Sequence, residues 1–383
     1  MTTIRPYRVL YLDCAPFGGG AQESLLSLLT ALHSQGQDMV LVTADSTPGG
    51  LRERAESWGI RVVPITARHW RHSPVGLWQW LADGRAVAPL LRRALDDFRP
   101  ELIHLNGLRA GLLYRVAASG GGRTSPIVLH DRDLRVPFGV RGWLARGLTP
   151  HVVAISSAVA RGWGKRLPEH RIHIVPNGFS WSEISGVCPA ALPFSPLAAG
   201  SATTVILPAD FVVWKRHRFF LRAFALARQV NPSLRAVLRG RVRDEAGSVL
   251  LARLRRQAVA LGLTAEQVAF VTGPGPALPW MAAADMVCAC AGQEPFGRTL
   301  VEALALGKPV VATPTAGAPE ILRGCPAITV VADNPGAFAD GLNAWGALER
   351  RREGMAAAKA HAEKFSLSRH VAGIQAVYTQ CLE

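Results

Sequence analysis

Lysine is scarce in this chain, at five of 383 residues, yet the formal net charge is +15, so the positive charge rests almost wholly on arginine. A positive field favours anionic ligands: a nucleotide, an acidic acceptor, a membrane surface or nucleic acid. Nucleic acid is disfavoured by what else is missing. There is no zinc-finger spacing, no RNP-like aromatic run and no long basic block, and the arginines are dispersed. The six cysteines (Cys14, Cys188, Cys288, Cys290, Cys325, Cys381) include one Cys-Ala-Cys but no Cys-x-x-Cys. Neither a zinc site nor a disulfide framework is indicated, and buried free thiols are expected. No apolar run approaches the roughly 18 residues that a bilayer span needs. The stretch from Met281 to Ala291 is interrupted by Asp285, and the first thirteen residues lack an h-region with a cleavage site. A cytoplasmic protein is expected.

What is present is enough apolar material, 49% of the residues, for two cores. The first half alternates strands and helices. Arg8 to Asp13 reads as a strand, Ala15 to Gly20 as a glycine-rich loop, and Ala21 to Ser34 as a helix carrying Leu25, Leu28, Leu29 and Leu32. Further strands are expected at 39–43, 61–65, 102–105, 127–129, 151–155 and 172–175, with helices at 51–58 and in the later part of the segment ending at Phe98. These strands run into polar or glycine residues at their C-terminal ends, where open parallel sheets bind ligands. After Pro176-Asn177-Gly178 a connection is expected at 180–202, and the alternation then restarts from Thr204. The predicted architecture is α/β, with two doubly wound Rossmann-like domains facing a cleft. Residues 1–176 form the N-terminal domain and 177–365 the C-terminal one, and a final helix spans 366–383.

Four groups of residues carry chemistry. Gly18-Gly19-Gly20 follows the first strand, but Glu23 stands where a dinucleotide fingerprint needs its third glycine, and no Walker lysine follows. Ligand contact and a tight turn are both open for it. Lys215, after the first strand of the second half, is placed to neutralise a diphosphate or to be a surface lysine. His130, at a strand end, is either an active-site contact or structural. The Asp-x-Asp of Asp131 and Asp133 resembles a metal-binding string, but so short a pair is common by chance. The strongest signal is Glu294-Pro-Phe-Gly-Arg-Thr-Leu-Val-Glu302, a turn into a helix that ends at Gly307 and Pro309. Its apolar sides (Leu300, Val301, Leu304, Leu306) indicate burial, so its carboxylates need partners, and its first amides attract phosphate.

The run from Gly292 to Thr313, continuing through Gly317 to Glu320, resembles the E-x7-E donor-site motif of retaining family 4 glycosyltransferases with the GT-B fold. The likeness extends to the glycine loop at Gly19, the crossover at Ile174 to Gly178, Lys215, and the tail from Phe365 to Tyr378, which in that family crosses back onto the first domain. It implies a metal-independent, retaining enzyme with a nucleoside diphosphate sugar as co-substrate and no cofactor. By the same resemblance Glu302 binds the ribose hydroxyls, Glu294 contacts the donor sugar, and Lys215 and the amides of Gly297, Arg298 and Thr299 hold the diphosphate. Phe296 joins this donor-binding set. Gly19 and Gly20 face the phosphate and acceptor, and His130 lies beside the sugar; Glu294, Lys215 and His130 are the expected catalytic residues.

Two positions depart from the family pattern. Asp210 stands where an arginine is usual, and Arg216 replaces the glycine after the lysine, which makes Arg216 the candidate substitute for the missing guanidinium. The expected acceptor is a small natural product of secondary metabolism. A membrane lipid or cell-surface glycan is the alternative, and an epimerase or a non-catalytic nucleotide-sugar-binding protein represents other classes. Arg132, Arg135 and Arg141 would suit an acidic acceptor. The segment from Arg68 to Trp80 is open to membrane docking, to stacking on a small acceptor, or to simple core packing of Trp78.

Overall fold

The computed structural model describes residues 7–68, 74–118, 125–134, 148, 150–195, 202–273, 275–315, 317 and 319–383, with side chains from 78 onward in the segment that begins at 74. Arg135 and Arg141 lie outside the described residues. The chain forms two compact units, Met1–Phe179 with Leu367–Glu383, and Ser180–Ser366.

The first unit holds a parallel seven-stranded sheet in the order β3-β2-β1-β4-β5-β6-β7. The strands are β1 (Arg8–Asp13), β2 (Asp38–Thr43), β3 (Arg61–Pro64), β4 (Leu102–Asn106), β5 (Ile127–Asp131), β6 (His151–Ala154) and β7 (Ile172–Ile174). Side chains alternate across a strand, so one strand feeds two cores. Leu10 and Leu12 enter a cluster with Leu91, Leu113 and Trp163, while Val9 and Tyr11 enter one with Leu25, Leu29, Ile374 and Tyr378. Both faces are therefore covered, as a parallel sheet requires. The segment before Phe98 is helical from Pro74 onward, longer than expected, with Pro89 inside it. The last helix, Leu367–Leu382, belongs to this unit and packs on the helix Gly20–Ser34 and on β4, β5 and β6.

Gly178 shows why the crossover carries a glycine. A Cβ there would stand 2.5 Å from His370 Cβ and 2.9 Å from Leu367 Cα, so the close passage of the last helix leaves no room for a side chain.

The second unit holds a parallel six-stranded sheet in the order β10-β9-β8-β11-β12-β13. Its strands are β8 (Thr203–Pro208), β9 (Leu234–Arg239), β10 (Val268–Val271), β11 (Met286–Ala289), β12 (Val310–Ala312) and β13 (Ile328–Val330). One face packs Val205, Leu207, Ala236, Leu238 and Met286 against Phe220 and Phe224 of the helix His217–Val230 and against Phe338 of the helix Pro335–Ala344. In each sheet the order reverses once, between β1 and β4 and between β8 and β11. Such switch points open a crevice outside the C-terminal strand ends.

Candidate functional site

At the β1/β4 switch point the strand ends are tied by buried polar groups. Asn106 donates to Asp13 Oδ1 at 2.7 Å and Gln22 donates to the same oxygen at 3.0 Å, while the Ala15 amide donates to Oδ2 at 3.2 Å. Burial raises the Asp13 carboxyl above its usual range, and these three donors work against that shift. Arg132 extends the network: its Nε donates to Asn106 Oδ1 at 3.0 Å, and one terminal nitrogen donates to Asn177 of the crossover motif. Its other terminal nitrogen lies 3.4 Å from His130 Nδ1. His130 Nδ1 is 3.3 Å from His104 Nε2, and His104 Nδ1 is 2.7 Å from the Tyr378 hydroxyl, which donates to Tyr11 at 3.1 Å.

Burial, and then the adjacent Arg132 charge, hold His104 down at about 3 and His130 well below the ordinary imidazole value. Both rings are therefore neutral near pH 7. His130 Nε2 is buried and has no partner among the described residues, so the hydrogen-bonding capacity of this neutral nitrogen is left unused there. Arg132, one of the candidates for an acidic acceptor, is instead 9% exposed inside this network.

The glycine loop borders the same switch point. A Cβ on Gly18 would meet nothing within 4 Å, and one on Gly19 would meet only Gln22 Oε1 at 3.3 Å. Gly19 is extended (φ −162°), so no strained turn demands glycine there. Absent side chains leave the backbone approachable, and the helix starting at Gly20 has no side-chain cap on its first amides. Asp131 is committed elsewhere: its two oxygens accept from Trp163 Nε1 at 2.7 Å and from the Asp133 amide at 3.1 Å. Among the described residues, no group of three or more His, Cys, Asp or Glu side chains gathers as a metal site.

At the β8/β11 switch point the side chains are charged and half-buried. Lys215 ends a short 3-10 turn after β8, and its ammonium pairs with Glu294, which follows β11; the two side chains are 20% and 18% exposed. Gly297 adopts φ 98°, and a Cβ there would stand 2.9 Å from Leu300 Cδ1 and 3.2 Å from Gly317 Cα, so only glycine turns the chain into the helix Arg298–Ala305. That helix also has no side-chain cap at Gly297, and a helix start of this kind attracts anions. Glu302 lies one turn inside it and takes a hydrogen bond from Arg298 at 3.3 Å. Thr299 is half-buried, whereas Phe296 is 2% exposed with its ring edge-on to Phe365, so Phe296 offers a ligand its backbone rather than its ring.

The two departures from the family pattern have different outcomes. Arg216 occupies the left-handed region (φ 60°, ψ 37°), the conformation a glycine adopts without strain, and its guanidinium pairs with Asp333 at 2.7 Å. Asp210 pairs with Arg241 at 3.1 Å and with Arg243 at 2.5 Å. Burial alone would raise the Asp210 carboxyl, but its bonds and charge contacts with these arginines outweigh burial and hold it below the usual carboxylate range. Sequence reasoning missed Arg241 and Arg243, although the rule of polar residues at strand ends applies to Arg239-Gly-Arg-Val-Arg243 as well. Among the described residues of the segment from Arg68 to Trp80, Trp80 is buried, at 3% exposure, while Trp78 is 71% exposed, so core packing does not account for Trp78.

Comparison with known proteins agrees with this architecture. A family model described as Glycosyltransferase Family 4 matches residues 18–181, and one described as Glycosyl transferases group 1 matches residues 202–345. Among solved structures, Anabaena HepE in complex with UDP and glucose is 22% identical, with 97% of this chain and 99% of that chain covered and a TM-score of 0.74. A glycosyltransferase from Rickettsia africae is 16% identical over 99% of this chain and 100% of that chain, with a TM-score of 0.80. Sucrose-phosphate synthase from Thermosynechococcus elongatus is 17% identical over 98% of both chains, with a TM-score of 0.74. At these identities the structural likeness carries the fold. No curated protein sequence matches the chain.

Proposed function

Since this chain belongs to the family 4 type of glycosyltransferases with the GT-B fold, we propose that it moves a sugar from a nucleoside diphosphate sugar to a small-molecule acceptor, with retained anomeric configuration and no required metal. The observation that carries this reading is the pairing of Lys215 with Glu294 beside the uncapped start of the helix Arg298–Ala305, with Glu302 one turn inside it. Each side chain of the pair keeps about a fifth of its surface in solvent, and a diphosphate brings its own charge to Lys215, so the members can exchange partners without leaving a charge unpaired. A bound diphosphate takes Lys215 and the helix amides, and the sugar hydroxyls take Glu294. The ribose hydroxyls take Glu302 from Arg298.

In the reaction the bond from the anomeric carbon to the diphosphate oxygen breaks as the acceptor oxygen bonds to the same face of that carbon. The acceptor proton ends on the departing diphosphate. Negative charge therefore develops where Lys215 and the helix amides already stand. His130 Nε2 supplies a neutral hydrogen-bonding group to a sugar hydroxyl, and Gly19 and Gly20 offer bare backbone to phosphate or acceptor. Exposed Trp78 offers a stacking surface for a polar natural product of secondary metabolism. We assign the protein to the cytoplasm; no helix among the described residues is long and apolar enough to cross a membrane.

HepE has been solved with UDP and with UDP-glucose, which makes UDP-sugars the first donors to test. Calorimetric titration with UDP is expected to show binding that E302Q weakens about 10-fold, the loss of roughly one charged hydrogen bond. Unchanged affinity in E302Q counts against the ribose role. With any acceptor that turns over, NMR of the product is expected to show the anomeric configuration of the donor, and inversion overturns the retaining mechanism.

A further inference from the structure

The ion pairs at the C-terminal edge of the second sheet are not alike in charge. Lys215 with Glu294, Arg216 with Asp333, and Arg298 with Glu302 are each one cation against one anion. Asp210 faces two guanidinium groups, so that cluster alone among the four carries a surplus positive charge.

The backbone is built to hold this cluster. The loops after β8 and β9 interlock, with the Ala209 amide donating to Arg239 O at 2.9 Å and the Phe211 amide to Arg241 O at 3.0 Å. Gly240 makes this approach possible, since a Cβ there would fall 1.9 Å from Ala209 O. Asp210 Oδ1 then accepts from the Arg241 amide at 3.0 Å and from Arg241 Nε at 3.3 Å, and Oδ2 accepts from Arg243 Nε at 2.7 Å. Each arginine spends Nε and one terminal nitrogen on the carboxylate. The remaining terminal nitrogen of each has no partner among the described residues, and the two side chains are 44% and 49% exposed.

We infer that Arg241 and Arg243, held by Asp210, form an anion subsite that takes the diphosphate of the donor, so that positive charge absent at position 210 is delivered from the neighbouring loop. Asp210 is a positioning residue: it fixes two flexible side chains and removes part of their ordering cost on binding. Arg216 is matched one to one by Asp333, whereas the Asp210 cluster keeps one positive charge more than its carboxylate neutralises. The inference rests on the nucleoside diphosphate sugar reading given above.

Calorimetric titrations with UDP and with uridine separate the two ideas. Native protein that binds no UDP overturns the UDP donor reading. If native protein binds UDP, R241A/R243A is expected to lose about 10- to 100-fold in UDP affinity while its affinity for uridine stays unchanged. UDP affinity within twofold of native, or an equal loss for uridine, overturns the subsite and leaves the donor reading standing. Adding D210R to the double variant is expected to restore at least half of the lost factor, on a logarithmic scale. A triple variant that binds UDP no better than the double overturns the exchange of charge between position 210 and the β9 loop. The single variants R241Q and R243Q, each expected to weaken UDP more than threefold at an unchanged melting temperature, serve if the double variant does not fold.

Discussion

The two sheets reverse their strand order in the same way, yet their switch points are filled by opposite means. Between β1 and β4 the groups are buried and share protons and lone pairs: Asp13 is 1% exposed, His104 and His130 are 0%, and Asn106 is 7%. Between β8 and β11 the groups are charged, paired and open to solvent by about a fifth. A buried hydrogen-bond network is costly to leave half-made, so it orders its members but cannot release them. An ion pair open to solvent by about a fifth is cheaper to rearrange than a fully buried network, provided that each charge finds a new partner. The first switch point therefore holds a neutral nitrogen of His130 in place, and the second keeps its charges in pairs that are partly open to solvent.

Substitutions at the two points are expected to separate function from stability. The largest effect falls on Lys215. K215A is expected to lower kcat/KM about 1,000-fold by removing charge stabilisation at the leaving group, with little change in melting temperature. A similar loss of stability would erase the contrast. Next comes D13A, which strands the donors of Gln22 and Asn106 and the Ala15 amide. It is expected to cost about 3 kcal/mol in urea denaturation of the first unit. A cost below 1 kcal/mol would show that the network relaxes as freely as the ion pairs do.

A third effect is in pH dependence. Burial raises the Asp131 carboxyl to about 7, outweighing the bond from Trp163. A carboxyl raised on folding binds its proton more tightly in the folded chain. Its stabilising contribution is complete below the unfolded value near 4 and is lost as pH rises through 7. D131N keeps an acceptor for Trp163 and is expected to melt above the native protein at pH 8 but level with it at pH 4. An equal difference at both pH values would mean that Asp131 does not titrate in this range.

Much of this was legible in the sequence. Strand and helix positions followed from period, because a strand buried on both faces reads as an apolar run and an amphipathic helix repeats every three to four residues. Phe98 shows the limit: its helix begins at Pro74, well before the expected later part, because tertiary packing carries a helix past residues that weaken the pattern. In the site, Gly297, Glu294 and Glu302 were legible because a turn, a helix start and two carboxylates lie within nine residues. The partners were not. Asp13, Asn106, Arg132 and Asn177 are far apart in the chain, and only the sheet order brings them together.

The sequence by itself determined two Rossmann-like units, the family, and the segment on which the donor reading rests, since each is written in local period and spacing. It also marked Asp210 and Arg216 as departures from the family pattern. What those departures mean was decided only by the tertiary structure. Parallel strands joined by helices bring their C-terminal ends side by side across tens of residues. That adjacency, with the space Gly240 leaves, sets Arg241 and Arg243 against Asp210 and turns an apparent defect into a cluster of surplus positive charge.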